Sequence, residues 1–199
     1  MEVIEIGAVA VIWAYVFLFL VFTVVAARRA GTSVWLFGVG AERQMIPAML
    51  FRASFALGAA LPLVTLWVLA GNPPWFLIPM SMGGAPSGLV GLILMITGAA
   101  LALYAQHYMG RSWRIGAAEG HVGKIIDGGP FSFSRNPVFV GQVVLFAGLW
   151  LVFPTVAQFA VVAALILAAV LQVRIEERVL GRELGQPYAD YRQRVRRWL

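Results

Sequence analysis

Three long stretches of the chain contain no Asp, Glu, Lys or Arg. They run from Ile6 to Ala27, from Ala53 to Gly110 and from Asn136 to Val173, or 22, 58 and 38 residues. A helix that crosses a bilayer needs about 20 consecutive apolar residues. Only 12% of all residues are charged, against 61% hydrophobic, where a soluble domain carries about one quarter charged residues. Such a chain has too little polar surface to cover itself in water, and it is too apolar to remain disordered.

The charge-free stretches divide further. The first holds one span, near 3–27, ended by Arg28 and Arg29; it lacks the basic leading segment of a cleaved signal. The second holds two, near 53–71 and 88–106. Between these two lies GNPPWFLIPMSMGGAPS, whose Gly and Pro content marks a loop. As one helix the third stretch would measure about 57 Å, against a hydrocarbon core of about 30 Å. Phe153-Pro154-Thr155 lies near its middle and opposes helix continuation. The expectation is a hairpin of two spans, near 138–153 and 155–173. The fold class is therefore all-α integral membrane, one domain over 1–199, with about five transmembrane helices, a connector at 107–137 and a C-terminal tail at 174–199.

The basic residues orient this arrangement. Residues 28–52 hold four Lys and Arg, residues 111–135 hold four and residues 174–199 hold seven, which accounts for all 15 in the chain. In a five-span chain all of them fall on one side, and the positive-inside rule makes that side cytoplasmic. The net charge of +6 then reflects membrane orientation rather than nucleic-acid binding. There is no cysteine, and His107 and His121 are the only histidines. A zinc centre gathers three or four His, Cys or carboxylate ligands, so no resident metal is expected.

Chemistry is expected on the cytoplasmic face. The connector, HYMGRSWRIGAAEGHVGKIIDGGPFSFSRNP, is longer than helix packing requires, and long ordered loops usually carry function. Its Gly128-Gly129-Pro130 permits a tight turn. Arg135 and Asn136 precede Pro137, which suits the first turn of a helix whose free N–H groups attract an anion. The plainer reading of this pair is that Arg135 reaches lipid phosphate and Asn136 caps the helix. Glu176 and Glu177 follow the fifth span directly, at a depth where carboxylates need partners; Arg174 and Arg178 are the local ones. In the tail, Tyr188, Tyr191, Val195 and Trp198 share one helical face opposite several arginines, the pattern of an interfacial anchor that can also cover a site.

GGPFSFSRNPVFVG and EERVLGRELGQPYADYRQRV together resemble the isoprenylcysteine carboxyl methyltransferase and phospholipid methyltransferase family of integral membrane enzymes. The resemblance covers roughly 104–197 and rests on four motifs in order: Gly129-Pro130-Phe131, then Arg135-Asn136-Pro137-Val138-Phe139-Val140-Gly141, then Glu176-Glu177 with Leu180, then Leu184-Gly185 with Tyr188 and Tyr191. It implies methyl transfer from S-adenosyl-L-methionine to a lipophilic or membrane-associated acceptor. Carried over by position, the cofactor shell comprises Gly123, Lys124, Ile125, Ile126, Phe131, Asn136, Pro137, Val138, Phe139 and Glu176, with Arg135 beside it and Gln172 on the substrate side. No side chain is assigned as catalytic, because an activated methyl needs alignment and dryness more than acid–base groups. Asn136 replaces a histidine common in relatives, so no base titrates there. The acceptor stays open among carboxylate, thiol, amine and lipid headgroup. The competing classes are a nicotinamide-dependent membrane reductase on a related scaffold and a non-enzymatic lipid-binding protein.

Overall fold

The computed structural model describes residues 3–31, 34, 36, 44–68, 71–80, 85–116, 120 and 125–199. Among these, six α-helices follow one another: α1 Val3–Ala30, α2 Met45–Val68, α3 Ala85–Met109, α4 Pro137–Val152, α5 Val156–Leu184 and α6 Gln186–Arg194. The all-helical membrane class of the sequence reading holds. α1, α2, α3 and α5 are long and apolar enough to cross a bilayer, whereas α4 is shorter, at 16 residues. At 1.5 Å per residue it spans about 24 Å, less than the hydrocarbon core. The span expected near 138–153, the shortest of the five, is this helix, and it stands beside four long ones. Nine of the residues of α4 are buried, so protein rather than lipid surrounds much of it and its length need not match the bilayer.

Backbone proximity explains how α4 is held. Gly98 of α3 lies so close to Gly141 of α4 that an added Cβ would stand 2.5 Å from the Gly141 carbonyl oxygen and the Leu145 nitrogen. Gly91 and Gly148 repeat the contact seven residues away: a Cβ on Gly148 would meet the Gly91 oxygen at 2.5 Å. Two glycines per helix at a seven-residue spacing keep one face bare for two turns, and the antiparallel helices touch main chain to main chain.

The hairpin forms where Phe153-Pro154-Thr155 breaks the run. The Thr155 hydroxyl accepts a hydrogen bond from the Gln158 amide and caps α5. The apolar span expected near 155–173 is the first part of α5, and the helix continues beyond it to Leu184, where Gly185 at φ 55° ends it. Its 29 residues measure about 43 Å, so the charged part from Arg174 onward extends beyond the apolar part. α2 starts earlier than expected and takes in Arg52. The ends of α1, α3 and α5 and the starts of α2 and α4 meet at one end of the bundle. There the connector is tied to the α1–α2 loop by a reciprocal backbone pair, Leu36 N–H to Ile115 O at 2.8 Å and Ile115 N–H to Val34 O at 2.7 Å.

Candidate functional site

At this end the helices enclose a cavity of about 460 Å³, within the range of pockets that hold cofactor-sized molecules. Of the residues singled out from sequence, Ile125, Ile126, Phe131, Arg135, Asn136, Pro137, Val138, Phe139, Gln172 and Glu176 all line it. Gly123 and Lys124 lie outside the described residues. Ile125 and Ile126 run in irregular chain.

One side of the cavity is built around the start of α4. Gly129 adopts φ 56°, as the GGP turn requires, and a short 3₁₀ turn then carries Phe131 into the wall. Asn136 occupies the N-cap position, but its side chain does not cap the helix. It donates instead to the Arg197 carbonyl at 2.8 Å, which corrects the plainer reading. Pro137 has no N–H, and the N–H groups of Val138 and Phe139 precede that of Val140, the first to donate within the helix, to the Asn136 carbonyl, so this end of α4 keeps its positive partial charge. Arg135 adds a full charge. Its Nη2 meets Glu177 Oε1 at 3.0 Å, while Nε and Nη1 are buried with no hydrogen-bond partner. Two unpaired guanidinium donors beside a helix N-terminus make a receptor for a carboxylate.

Facing them across the cavity is the polar end of α5. Gln172 donates through Nε2 to Glu176 Oε1 at 2.9 Å and to Gln44 Oε1 at 3.1 Å. Burial pushes the Glu176 carboxyl up to about 7; the bond from Gln172 opposes the rise and the neighbouring Glu177 adds to it. A carboxylate so placed gains from any cation or hydroxyl donor brought into the cavity.

Glu177 has a different task. The local partners offered by the sequence were Arg174 and Arg178. Instead it joins Arg135 to Arg197, whose Nη2 and Nε approach its two oxygens at 2.7 and 3.0 Å. The tail is thereby strapped over the start of α4, helped by the bond from the Arg135 N–H to the Arg196 carbonyl at 2.9 Å. The apolar face of the tail also turns inward. Tyr188, Tyr191 and Val195 are buried together with Ile125, Leu180 and Leu184, and the Tyr191 hydroxyl donates to the Phe131 carbonyl at 2.8 Å. The face predicted from spacing exists, but it packs on protein rather than lipid, and the helix ends at Arg194, before Trp198.

The inner part of the cavity is a wall that the sequence did not reveal. α1 and α2 contribute Phe19, Phe51 and Phe55, and the connector contributes Trp113. The Trp113 indole donates to Thr23 Oγ1 at 3.3 Å, and Gln106 Nε2 donates to the same oxygen at 2.9 Å. Gln142 is a polar group of this wall. An amide in an otherwise apolar run was the available signal for it. No group of three His, Cys, Asp or Glu side chains converges among the described residues.

The cavity thus has an apolar inner wall and a polar end formed by Arg135, the start of α4 and Glu176. Residues 87–186 match the family model of phospholipid methyltransferase, from the third helix to the start of the sixth. No curated protein matches the chain. The matched segment is half of the sequence and contains the helical hairpin, Arg135, Asn136 and Glu176, and on that ground the chain belongs to the phospholipid methyltransferase family.

Proposed function

We propose that the protein transfers the methyl group of S-adenosyl-L-methionine to a lipophilic or membrane-associated acceptor, with the cofactor site on the cytoplasmic side. Family membership makes methyl transfer to a lipid-like acceptor the general expectation. The observation that carries the finer reading is the pair of unpartnered Arg135 donors beside the uncapped start of α4, set across one cavity from Glu176.

The residues fit such a cofactor. Arg135 and the N–H groups of Val138 and Phe139 would hold its carboxylate. Glu176 would accept from its ammonium or ribose hydroxyl groups, and Phe131 and Phe139 would flank its planar parts. The bound cofactor supplies a sulfonium-activated methyl, which an acceptor lone pair takes as the C–S electron pair returns to sulfur. The chain's own part is alignment and exclusion of water: the aromatic wall keeps the inner chamber dry, and the strapped tail covers the polar end. Few contacts join α1 to α2, and Leu20 of α1 and Arg52 of α2 both line the cavity while remaining exposed. A lipid tail would enter from the side there. The chain, the acceptor headgroup and the membrane then meet at the level of Gln172, which we assign to the substrate side.

Calorimetry of the purified protein with S-adenosylhomocysteine and, separately, NADPH tests the reading. Binding of the first alone is expected. Binding of NADPH alone would replace the transferase with a reductase, and binding of neither would leave a lipid-binding protein.

A further inference from the structure

The inner chamber contains one polar feature that the cofactor reading does not use. Gln142 lies on α4, six residues beyond Asn136 and therefore about 9 Å deeper along the helix. It is 3% exposed. Its Nε2 donates to the Tyr15 hydroxyl at 3.0 Å, and its Oε1 is buried without a partner. The surrounding wall is Val16, Phe19, Phe51, Phe55 and Phe139, none of which has a polar side-chain atom. A buried amide oxygen with no donor costs free energy in every state in which the chamber is dry. An occupant that brings an N–H or O–H removes that cost, and one that brings only acceptor atoms does not.

We propose that Gln142 is the specificity-determining residue for the methyl acceptor, its Oε1 accepting a hydrogen bond from an N–H or O–H on or next to the group to be methylated. This rests on the methyltransferase reading for the identity of the reaction, and it narrows the acceptor class: a fully ionised carboxylate, with no donor, is the wrong ligand for this oxygen. Tyr15 is a positioning residue. With Nε2 bonded to the Tyr15 hydroxyl, Oε1 is the amide atom left without a partner. The pair joins α1 to α4 across 127 residues of sequence, so the first helix, outside the family match, takes part in setting specificity.

The test is a matched pair of ligands that differ only in the donor: 1-dodecanol and its methyl ether, with dodecanoate as the anionic comparison. Their affinities for detergent-solubilised protein are measured by native mass spectrometry, for the parent chain, Gln142→Leu, Gln142→Met and Tyr15→Phe. S-adenosylhomocysteine affinity and a thermal melt are recorded for each. The parent should prefer the alcohol over the ether by about fivefold, the worth of one ordinary hydrogen bond. Both Gln142 variants should lose that preference while keeping S-adenosylhomocysteine affinity within about twofold, since Gln142 lies away from the polar end. Tyr15→Phe should reduce the preference, because the amide is then free to turn. The proposal is overturned if the parent does not discriminate or does not bind the alcohol, or if both folded Gln142 variants still discriminate. It is also overturned if dodecanoate binds best in a Gln142-dependent way, which would mean that the amide N–H faces the ligand. Failure of S-adenosylhomocysteine to bind the parent would count against the cofactor reading alone, because the alcohol–ether ratio does not depend on it.

Discussion

Glu176 and Glu177 are adjacent in sequence and differ in almost every physical respect. Glu176 sits in the cavity wall with Gln172 as its donor, and burial holds its carboxyl at about 7. The empty protein is therefore least penalised when this group is protonated, and it loses stability as pH rises from the ordinary carboxylate range through 7. A cationic ligand reverses the preference by favouring the carboxylate. S-adenosylhomocysteine affinity should then be level above about pH 8 and fall as pH drops below 7, by up to tenfold per pH unit. Glu176→Gln should abolish that slope and weaken binding at pH 8 by about tenfold or more, the loss of a charge-assisted hydrogen bond. Titrations between pH 5.5 and 8.5 on parent and variant check both. An unchanged slope in the variant would remove Glu176 from the site. Only the carboxylate pair itself was legible in the sequence. The division of labour was not, because it depends on which side of α5 faces Arg135.

At the scale of elements, two devices carry the site. The first is the strap. Arg135 and Glu177 have side chains only 9% and 11% exposed, so removing the carboxylate charge leaves a buried guanidinium without compensation. Glu177→Gln should lower stability by about 3 kcal/mol, seen in a thermal melt, and should make the peptide bonds of the tail near residues 196–197 protease-accessible first. Arg197→Gln, at a half-exposed partner, should cost less than 1 kcal/mol or about that. Equal losses for both variants would show that the buried half of the pair is not what holds the tail. The second device is the glycine seam. Gly141→Ala sets a Cβ at 2.6 Å from both the Ala102 nitrogen and the Gly98 oxygen, main-chain atoms that cannot move aside. A loss of about 1–3 kcal/mol is expected. Gly181→Ala, with nothing within 4 Å, should instead be neutral or gain up to about 1 kcal/mol of helix propensity. The melting temperature should fall for Gly141→Ala and should not fall for Gly181→Ala. The seven-residue spacing of Gly91 and Gly98, and of Gly141 and Gly148, does not by itself say that α3 and α4 are the partners.

For the whole molecule, the one-sided distribution of basic residues predicts orientation. A reporter fused within the 71–80 loop and one fused at Leu199 should appear on opposite sides of the membrane, with the C-terminus cytoplasmic. The shortness of α4 does not alter this, since α5 begins where α4 ends and returns the chain to the cavity end. The same side for both reporters would rule out the arrangement.

The sequence by itself determined the class: helical, built for a membrane, hinged at Phe153-Pro154-Thr155, with its polar chemistry gathered at one end. These are properties of local composition, since hydrophobic length and charge position act on each segment before it meets another. The tail's apolar face and the residues around Arg135, Asn136 and Glu176 were also legible, because each motif is short and contiguous. Tertiary structure alone decided that the tail faces protein, that Glu177 pairs with Arg135 and Arg197, and that Phe19, Phe51, Phe55 and Trp113 form the inner wall. It also decided that Gln142 meets Tyr15. Each of these joins residues on different helices, 127 positions apart in the last case, and no local pattern encodes which faces meet. That is settled by how closely backbones approach, and here four glycines set the approach of α3 to α4.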